Sequence, residues 1–390
     1  MQQNFDLVCF SHLRWSFVFQ RPQHLLSRYA KQRRVFFIEE PIYGDDPDRL
    51  DVSTSVEGVL VVVPHLRHGA PDPDAVQVGM LRALFEERQI EHYAVWYYTP
   101  MALPLARELQ PLAVVYDCMD QLSAFKNAPP TLLERERELF AKADVVFTGG
   151  QSLYEDKKSL HSNVHAFPSS VDVPHFARAR SPQDDPEDQK LLIRPRLGFF
   201  GVIDERLDLE LVAGVAAARP GWSLVILGPV VKVDESSLPK AANIHYLGSK
   251  SYSDLPRYAS GWDVGLLPFA RNESTEFISP TKTPEYLAAG LPVVSTSIRD
   301  VVSPYEKLGL ARIADSVSSF VSACEAALEA PARAQLADAD RYLAQLSWDD
   351  TWTRMSRLVE RAVEQRLEIR AHAGAQPAAE TQLSGFAAGE

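Results

Sequence analysis

The sequence is poor in cysteine and lacks the segments that would place it in a membrane or on nucleic acid. Its 390 residues include three cysteines, Cys9, Cys118 and Cys324, which are too few and too widely spaced for a disulfide framework. No apolar run reaches the length of about 18 residues that a membrane-spanning helix requires. No long basic block occurs and the formal net charge is −12, so no nucleic-acid partner is expected.

Motifs for several cofactor and metal chemistries are also missing. There is no His-Glu-x-x-His sequence and no cysteine cluster, so we predict no metal site. No Gly-x-Gly-x-x-Gly follows a predicted strand, which argues against a nicotinamide dehydrogenase. The first residues lead into a strand-like segment without the basic start and apolar run of a signal peptide. We therefore expect a soluble, cytoplasmic protein.

The chain does have the length and pattern of a two-domain α/β protein. Its length exceeds that of one ordinary hydrophobic core, and 46% of its residues are hydrophobic. Short β-branched or aromatic runs alternate with helical patterns in both halves, which predicts two Rossmann-like, doubly wound parallel-sheet domains facing a central cleft. The predicted parts are a first domain at 1–180, a polar linker at 181–190, a second domain at 191–345, a helix at 346–370 that packs back on the first domain, and a disordered tail at 371–390.

The most informative segment is 277–296, which reads as a polar loop, a short helix that stops at Gly290, and a strand. Either Ser279 or Thr283, each followed by proline, can supply the N-cap hydroxyl of that helix, and the residues do not decide between them. The helix N-terminus faces the carboxyl end of the sheet, where its dipole favours a phosphate. Lys282 adds a full positive charge at this point.

This segment resembles the donor-binding loop and helix of GT-B glycosyltransferases related to glycosyltransferase family 4, in the form S-P-x-K-x-x-E-Y-L-A-A-G-x-P-V-V. Residues 10–26 resemble the S-H-x-x-W-x-x-x-x-Q-R-P-Q-H signature of bacterial relatives that assemble capsule, exopolysaccharide and teichuronic-acid-type polymers. The resemblance covers nearly all of 5–365 in the order of its segments. It implies a GT-B fold with an acceptor-side first domain and a nucleotide-sugar donor domain second.

The resemblance also implies roles for residues of the second domain. Glu285 corresponds to the carboxylate that binds the nucleotide ribose, and Lys282 to a diphosphate clamp. Ser279 and Thr281 are expected to help hold phosphate, while Gly201 admits the diphosphate and Arg206 contacts it. The set of candidates for the donor and the chemistry is Lys282, Arg206, His12, Asp117, Asp120, Gly201, Ser279, Thr281, Glu285 and Glu276.

One position departs from the family pattern, in which a second acidic residue often stands eight positions before the helix glutamate. That position is Phe277 here, and Glu276, Asn272 or Glu273 are the acids and amide that can replace it. Arg271 is a further candidate clamp.

In the first domain, several polar residues after predicted strands are candidates for phosphate, acceptor hydroxyls or a lipid-linked diphosphate: His12, Arg14, Arg21, Gln23 and His24. Arg21 and Gln23 can instead cap the helix that begins beside them, and His24 can be a packing residue. Asp117 and Asp120 follow another strand, where they can position sugar or acceptor hydroxyls or serve as turn residues.

By resemblance, the expected function is retaining, metal-independent transfer of a sugar from a UDP- or GDP-sugar to a saccharide or lipid-linked saccharide acceptor in cell-surface polysaccharide synthesis. No cofactor other than the donor substrate is expected. A lipid-linked acceptor implies peripheral contact with the inner face of the cytoplasmic membrane. The alternatives are a nucleotide-sugar epimerase of the same architecture and a catalytically silent nucleotide-sugar-binding scaffold.

Overall fold

The computed structural model describes residues 5–330 and 335–374. Two sheets account for its strands, which are β1 (Asp6–Ser11), β2 (Val35–Glu39), β3 (Ile42–Gly44), β4 (Arg49–Thr54), β5 (Leu60–Arg67), β6 (Tyr93–Tyr97), β7 (Ala113–Cys118), β8 (Val145–Thr148), β9 (Val164–Ala166), β10 (Arg196–Phe200), β11 (Ser223–Leu227), β12 (Ile244–Gly248), β13 (Val264–Leu267), β14 (Val293–Ser295) and β15 (Ala311–Ile313).

The α-helices lie between and after these strands. They are α1 (Arg21–Ala30), α2 (Pro73–Arg88), α3 (Leu132–Lys142), α4 (Gln151–Lys157), α5 (Val173–Ala177), α6 (Leu209–Ala218), α7 (Leu255–Ser260), α8 (Lys282–Ala289), α9 (Arg299–Val301), α10 (Val317–Glu329), α11 (Leu336–Leu343) and α12 (Trp348–Gly374).

The first sheet has the order β3-β5-β2-β1-β6-β7-β8-β9, with β4 paired to β5. All its pairings are parallel except the antiparallel β4–β5 hairpin. Strands β1, β2, β6, β7 and β8 are buried along their whole length because apolar cores cover both faces of the sheet. The polar loops that follow these parallel strands consequently meet at one edge.

The second sheet is parallel throughout, with the order β12-β11-β10-β13-β14-β15. The order reverses direction at β10, so the loops after β10 and β13 diverge and leave a crevice at the carboxyl end of the sheet. A single apolar core includes its strands and helices α6 and α8. The two α/β domains predicted from the alternation are thus present.

Local details differ from the prediction where proline or an antiparallel pairing intervenes. The segment 102–109 has a helical sequence pattern, but the structure forms a 3-10 helix over Pro100–Ala106, because Pro104 cannot donate a backbone hydrogen bond inside it. The strands β3, β4, β9 and β15 were not predicted. Of these, β3, β9 and β15 are three residues long, which is too few for a clear period.

The chain passes between the domains earlier than the polar composition indicated. Phe167 packs in the core of the first domain, whereas Val171 and Phe176 already pack in the core of the second. Within the predicted linker at 181–190, Gln189 is buried, and its amide donates to the Tyr258 carbonyl at 3.1 Å. The segment 181–190 therefore lies against the second domain, held by side-chain hydrogen bonds that composition does not reveal.

Helix α12 returns to the first domain and packs Trp348, Met355, Val359 and Val363 into its core. The helix continues to Gly374, so the first residues of the predicted tail are helical, and the rest of that tail lies outside the described residues. Within the described ranges, none of the helices combines the length and apolar character needed to cross a bilayer.

Two residues of α12 test this packing. Met355 is 0% exposed and Ile369 is 68% exposed. We expect Met355→Ala to lower the free energy of unfolding by about 2–5 kcal/mol because it removes buried methylene groups and leaves a cavity. Ile369→Ala should change the free energy by less than about 0.5 kcal/mol. Urea titration followed by circular dichroism measures both, and equal effects would contradict the packing of this helix.

Candidate functional site

A cleft of about 560 Å³ lies between the carboxyl edges of the two sheets. The first domain contributes the β1–α1 loop, the tip of the β4–β5 hairpin and the ends of β7 and β8. The second domain contributes the ends of β10, β11 and β12 and the loop that leads into α8. Seven of the ten candidate residues line this cleft: Asp120, Gly201, Arg206, Ser279, Thr281, Lys282 and Glu285.

Helix α8 begins at the cleft, at Lys282. Thr281 precedes it as the N-cap residue, and its side chain makes no capping hydrogen bond. Neither Ser279 nor Thr283 serves as the cap, because Thr281 already has helical backbone angles and the Thr283 N–H bonds the Pro280 carbonyl, which places the start of the helix between the two. The first backbone N–H groups of a helix lack partners within it, so this end can receive an anion.

The position of Lys282 depends on two glycines. Gly201 has φ +144° at the end of β10, and a Cβ there would lie 2.3 Å from Cε and 2.7 Å from Nζ of Lys282. Gly228, with φ +142°, follows β11, and a Cβ there would lie 1.8 Å from the Gly201 carbonyl oxygen. Any side chain at these positions would displace the lysine or separate the two strand ends.

The Lys282 ammonium lies among aromatic rings rather than in an ion pair. Its Nζ is 5.6 Å from the centre of the Phe199 ring and 5.9 Å from that of Phe269. Burial lowers the pKa of Lys282, and the nearby Glu285 carboxylate opposes this shift. Burial likewise raises the pKa of Glu285, and the Lys282 charge opposes it. The two groups are partly buried one turn apart without forming an ion pair, and both charges would gain from a polar ligand.

Arg206 reaches the cleft in a fixed orientation. Its guanidinium binds the buried Asp204, with Nη2 2.6 Å and Nε 3.1 Å from the carboxylate oxygen Oδ2. It also lies 5.2 Å from the centre of the Phe125 ring, which belongs to the first domain. Asp120 faces it across the cleft: burial raises the pKa of Asp120, and the Arg206 charge lowers it. The two predicted residues are brought together from different domains.

Asp117, which is also a predicted site residue, lies outside the lining of the cleft. It is fully buried and holds Arg21, whose Nε donates to its two oxygens at 3.0 and 3.1 Å. Arg21 also donates to the Phe167 carbonyl at 2.7 Å. The signature arginine is therefore anchored to β7 and to the segment that crosses between domains, and its partner is a buried support for the cleft wall.

His12 and Glu276 are also outside the lining of the cleft. Burial lowers the pKa of His12 to about 4, so it is neutral near pH 7, and its Nδ1 is buried without a hydrogen-bond partner. Glu276 is exposed to solvent. Phe277 packs against the first-domain core, with the Arg299 guanidinium 5.8 Å from its ring centre. In this loop the side chain of Phe277, and not that of Glu276, therefore points towards the first domain.

Most of the other candidate residues from the sequence form ion pairs, helix caps or ring contacts within the protein. Arg14 binds Glu39 at 2.9 Å, and Arg271 lies 3.4 Å from Asp315 on the surface. Gln23 forms a capping box with Gln20 at the start of α1. His24 stacks on Trp348 with ring centres 4.5 Å apart. Asn272 caps a 3-10 turn, and Glu273 is exposed within that turn.

Tyr252 is a cleft residue that the sequence analysis missed. Its ring stacks on His175 at 4.2 Å within its own domain and on Phe19 of the first domain at 4.7 Å. Its hydroxyl is buried without a hydrogen-bond partner, and burial together with the Glu285 charge raises its pKa. A single tyrosine after a strand does not identify a binding site in the sequence, because many tyrosines are buried only as packing residues.

The charged residues of the cleft favour a ligand that is both anionic and polar. The basic residues that line it are Arg21, Arg206, Lys250 and Lys282, and the acidic ones are Glu57, Asp120 and Glu285. Among the described residues, Arg21, Arg206 and Lys250 each form an ion pair, whereas Lys282 forms none. No group of three or more histidine, cysteine, aspartate or glutamate residues comes together as a metal site in residues 5–330 and 335–374.

Known proteins with this architecture are found by both sequence and structure. Residues 194–330 match the family model described as Glycosyl transferases group 1. The chain is 25% identical over 260 residues to the "Putative teichuronic acid biosynthesis glycosyltransferase TuaH" of Bacillus subtilis (strain 168). That alignment covers 61% of this chain and 64% of the relative, so the chain spans less than two thirds of the relative's length.

Solved structures match over nearly the whole chain. Sucrose-phosphate synthase from Thermosynechococcus elongatus has a TM-score of 0.66 at 15% identity, covering 95% of this chain and 100% of that one. HepE from Anabaena, in complex with UDP and glucose, has a TM-score of 0.65 at 11% identity, covering 91% and 99%. WaaG, a glycosyltransferase involved in lipopolysaccharide biosynthesis, has a TM-score of 0.61 at 13% identity, covering 90% and 99%.

The two facing α/β domains and the cleft between them define a protein of the GT-B class. Its second domain is a glycosyl transferases group 1 domain, and the family resemblance found in the sequence is confirmed. At these identities the solved structures establish the fold, while the roles of individual side chains remain predictions.

The different positions of Asp117 and Asp120 can be tested with matched substitutions. Asp117→Asn should lower the free energy of unfolding by about 3–5 kcal/mol because it leaves the Arg21 charge buried and uncompensated. Asp120→Asn should change it by less than about 1 kcal/mol, because this residue is only partly buried in an open cleft. Urea titration compares the two variants. A smaller loss for Asp117→Asn than for Asp120→Asn would show that Asp117 is not a structural residue.

Proposed function

We propose that the protein is a glycosyltransferase that transfers a sugar from a UDP- or GDP-sugar to a saccharide or lipid-linked saccharide acceptor in cell-surface polysaccharide synthesis. The observation that carries the proposal is Lys282, an unpaired cation among the described cleft residues, held by Gly201 at the N-terminus of α8 with Glu285 one turn further on. A diphosphate fits the cation and the helix end, and a ribose hydroxyl fits the carboxylate.

The same arrangement suits the chemistry of glycosyl transfer. Cleavage of a sugar–diphosphate bond leaves negative charge on the diphosphate, so fixed cations that face it lower the barrier. Lys282 and Arg206 supply that charge from the second domain, and Arg206 is already oriented by Asp204. No metal ion is required in this proposal, because the cations and the helix dipole neutralise the leaving group.

Asp120 is the first-domain residue best placed to hold sugar or acceptor hydroxyls. Phe277 occupies the position where related enzymes often carry an acid, and it packs on the first domain. Of the acidic side chains lining the described cleft, Asp120 faces Arg206 and Lys282, whereas Glu57 accepts a bond from the Trp15 indole at 3.2 Å. The acceptor hydroxyl attacks on the face of the sugar that carries the diphosphate, which takes up its proton, so configuration is retained.

Two features are compatible with a lipid-linked acceptor and peripheral membrane contact on the cytoplasmic side. Phe17 and Val56, which line the first-domain side of the cleft, are 49% and 99% exposed. Related proteins include the putative teichuronic acid enzyme and WaaG of lipopolysaccharide biosynthesis. Co-sedimentation with liposomes that contain a lipid-linked saccharide tests this part, and a protein that stays in the supernatant contradicts it.

Nucleotide binding is tested by a thermal-shift screen with UDP, GDP, ADP and TDP and their sugar conjugates. A ligand that binds only the folded protein at about 100 times its Kd stabilises it by about 2.7 kcal/mol, so one nucleotide family should raise Tm clearly. Lys282→Ala and Glu285→Ala should remove the shift, whereas the control Lys142→Ala, on an exposed face of α3, should keep it. No shift with any nucleotide would contradict the proposal.

Product analysis then separates the three candidate activities. Transfer of labelled sugar to an added saccharide or lipid-linked acceptor supports the transferase. Conversion of the nucleotide sugar to an epimer without an acceptor would identify the epimerase. A nucleotide sugar that is bound but remains unchanged with every acceptor class would identify the silent scaffold.

Tyr252 gives a separate test of the ligand's position. Its unpartnered hydroxyl is a cost to the free protein, so Tyr252→Phe should leave Tm unchanged or raise it. If the hydroxyl bonds the nucleotide beside Glu285, the same substitution should weaken binding by about three- to tenfold, the equivalent of one hydrogen bond. Isothermal titration calorimetry measures the change. Unchanged affinity would exclude a contact between this hydroxyl and the nucleotide.

A further inference from the structure

A carboxylate of the second domain caps a helix of the first. Asp300 lies in α9, and its Oδ2 and Oδ1 accept hydrogen bonds from the backbone N–H groups of Gln151 and Ser152, each at 2.9 Å. These groups form the start of α4, whose own N-cap residue, Gly150, has no side chain to supply a cap. Asp300 is only 6% exposed. The helix therefore obtains its capping group from the other domain.

The two domains approach very closely at this point. A Cβ at Gly150 would lie 2.4 Å from Asp300 Oδ2 and 2.7 Å from the Cβ of Ser279. The backbone of Gly150 is extended, with φ −160°, so its conformation does not require glycine. Glycine is required here only because there is no room for a side chain, which would push α4 away from the second domain.

Asp300 also contacts the loop that leads into the candidate donor helix. The Ser279 side chain lies beside the Asp300 carboxylate, since a Cβ at Gly150 would be 3.5 Å from the Ser279 Oγ and 2.4 Å from Asp300 Oδ2. Ser279 lines the cleft two residues before the N-cap of α8. One carboxylate thus caps the first-domain helix α4 and lies against the second-domain loop at 278–281. Separation of the domains would leave the α4 N–H groups and Asp300 without these partners.

We propose that Asp300 is a positioning residue that couples the closed arrangement of the two domains to the order of the loop before α8. It holds the ends of β8 and β14 together through α4, and through Ser279 it fixes one side of the anion site at the start of α8. The effect on nucleotide binding rests on the proposed function, whereas the effect on domain arrangement does not.

Distances between spin labels in the two domains, measured by double electron–electron resonance, test the domain arrangement. The described cysteines Cys9, Cys118 and Cys324 are all buried, so labels at Val56→Cys in the first domain and Glu235→Cys in the second will react selectively. Asp300→Asn replaces one acceptor oxygen by an amide that faces an N–H group. We expect a broader distance distribution with a longer mean than in the labelled parent protein.

Two further variants separate this effect from a loss of folding. Gly150→Ala leaves the carboxylate intact and forces the contact apart from the other side, so it should change the distances in the same direction. Asp315→Asn is the control, since Asp315 accepts a 2.8 Å bond from the Ser297 backbone within the second domain, and its distribution should match the parent. Circular dichroism confirms that each labelled variant is folded.

The nucleotide found in the thermal-shift screen provides the second readout. Asp300→Asn and Gly150→Ala should each weaken its binding by about fivefold or more, the size of a typical coupling between sites. Unchanged distances in both variants would overturn the proposal, even if affinity falls, because Asp300 would then act only within its own loop. Changed distances in a protein that binds no nucleotide would retain the interdomain role and reject the proposed function.

Discussion

Lys282 can place its ammonium over the end of β10 only because the backbone there carries no side chain. Gly201 leaves room for the lysine, and Gly228 leaves room for Gly201. This close approach holds a cation beside two aromatic rings, and the Lys282 side chain forms no ion pair within the described residues. In such a partly desolvated setting a charge interacts more strongly with an incoming anion than it would on an open surface. The rest of the candidate donor site is arranged around that position.

The first domain completes the site through buried supports beneath the polar groups of the cleft. The buried Arg21–Asp117 pair ties the start of α1 to β7 and to the crossing segment. Asp120, three residues beyond Asp117, is thereby carried to the cleft opposite Arg206. The aromatic contact of Tyr252 with Phe19 joins the two domains on another side. Rigid buried pairs thus determine where the partly exposed polar groups lie, as preorganised sites require.

The sequence predicted features that depend on repeating patterns or on a dense motif. The alternation of strands and helices predicted both sheets, and the motif around Lys282 and Glu285 predicted a helix that begins at the cleft. It could not distinguish Asp117 from Asp120, because both lie at the carboxyl end of β7 and the turn after the strand decides which one lines the cleft. His12 and Glu276 lie outside the cleft lining for a related reason: composition does not determine loop register.

The segment 181–190, which was predicted as the linker between the domains, differs from its prediction for another reason. Its acidic and amide side chains resemble those of a flexible linker, yet Asp185 binds Arg196 at 2.6 Å and Gln189 is enclosed by the second domain. Composition measures how much apolar surface a segment can bury, and this segment is instead fixed by polar partners that are distant in sequence. The contact of Asp300 with α4 was invisible for the same reason, since it joins residues about 150 positions apart.

The return of α12 to the first domain has a consequence for how the protein is made. Met355, Val359 and Val363 fill a core whose strands are encoded in the first 166 residues, while the second domain lies between them in the chain. During synthesis the second domain can bury its apolar surface before the first can. Part of one face of the earlier-translated sheet, beside α1, stays uncovered until α12 leaves the ribosome. The nascent chain therefore exposes an apolar surface that chaperones would bind, and a truncation before residue 348 would make that exposure permanent.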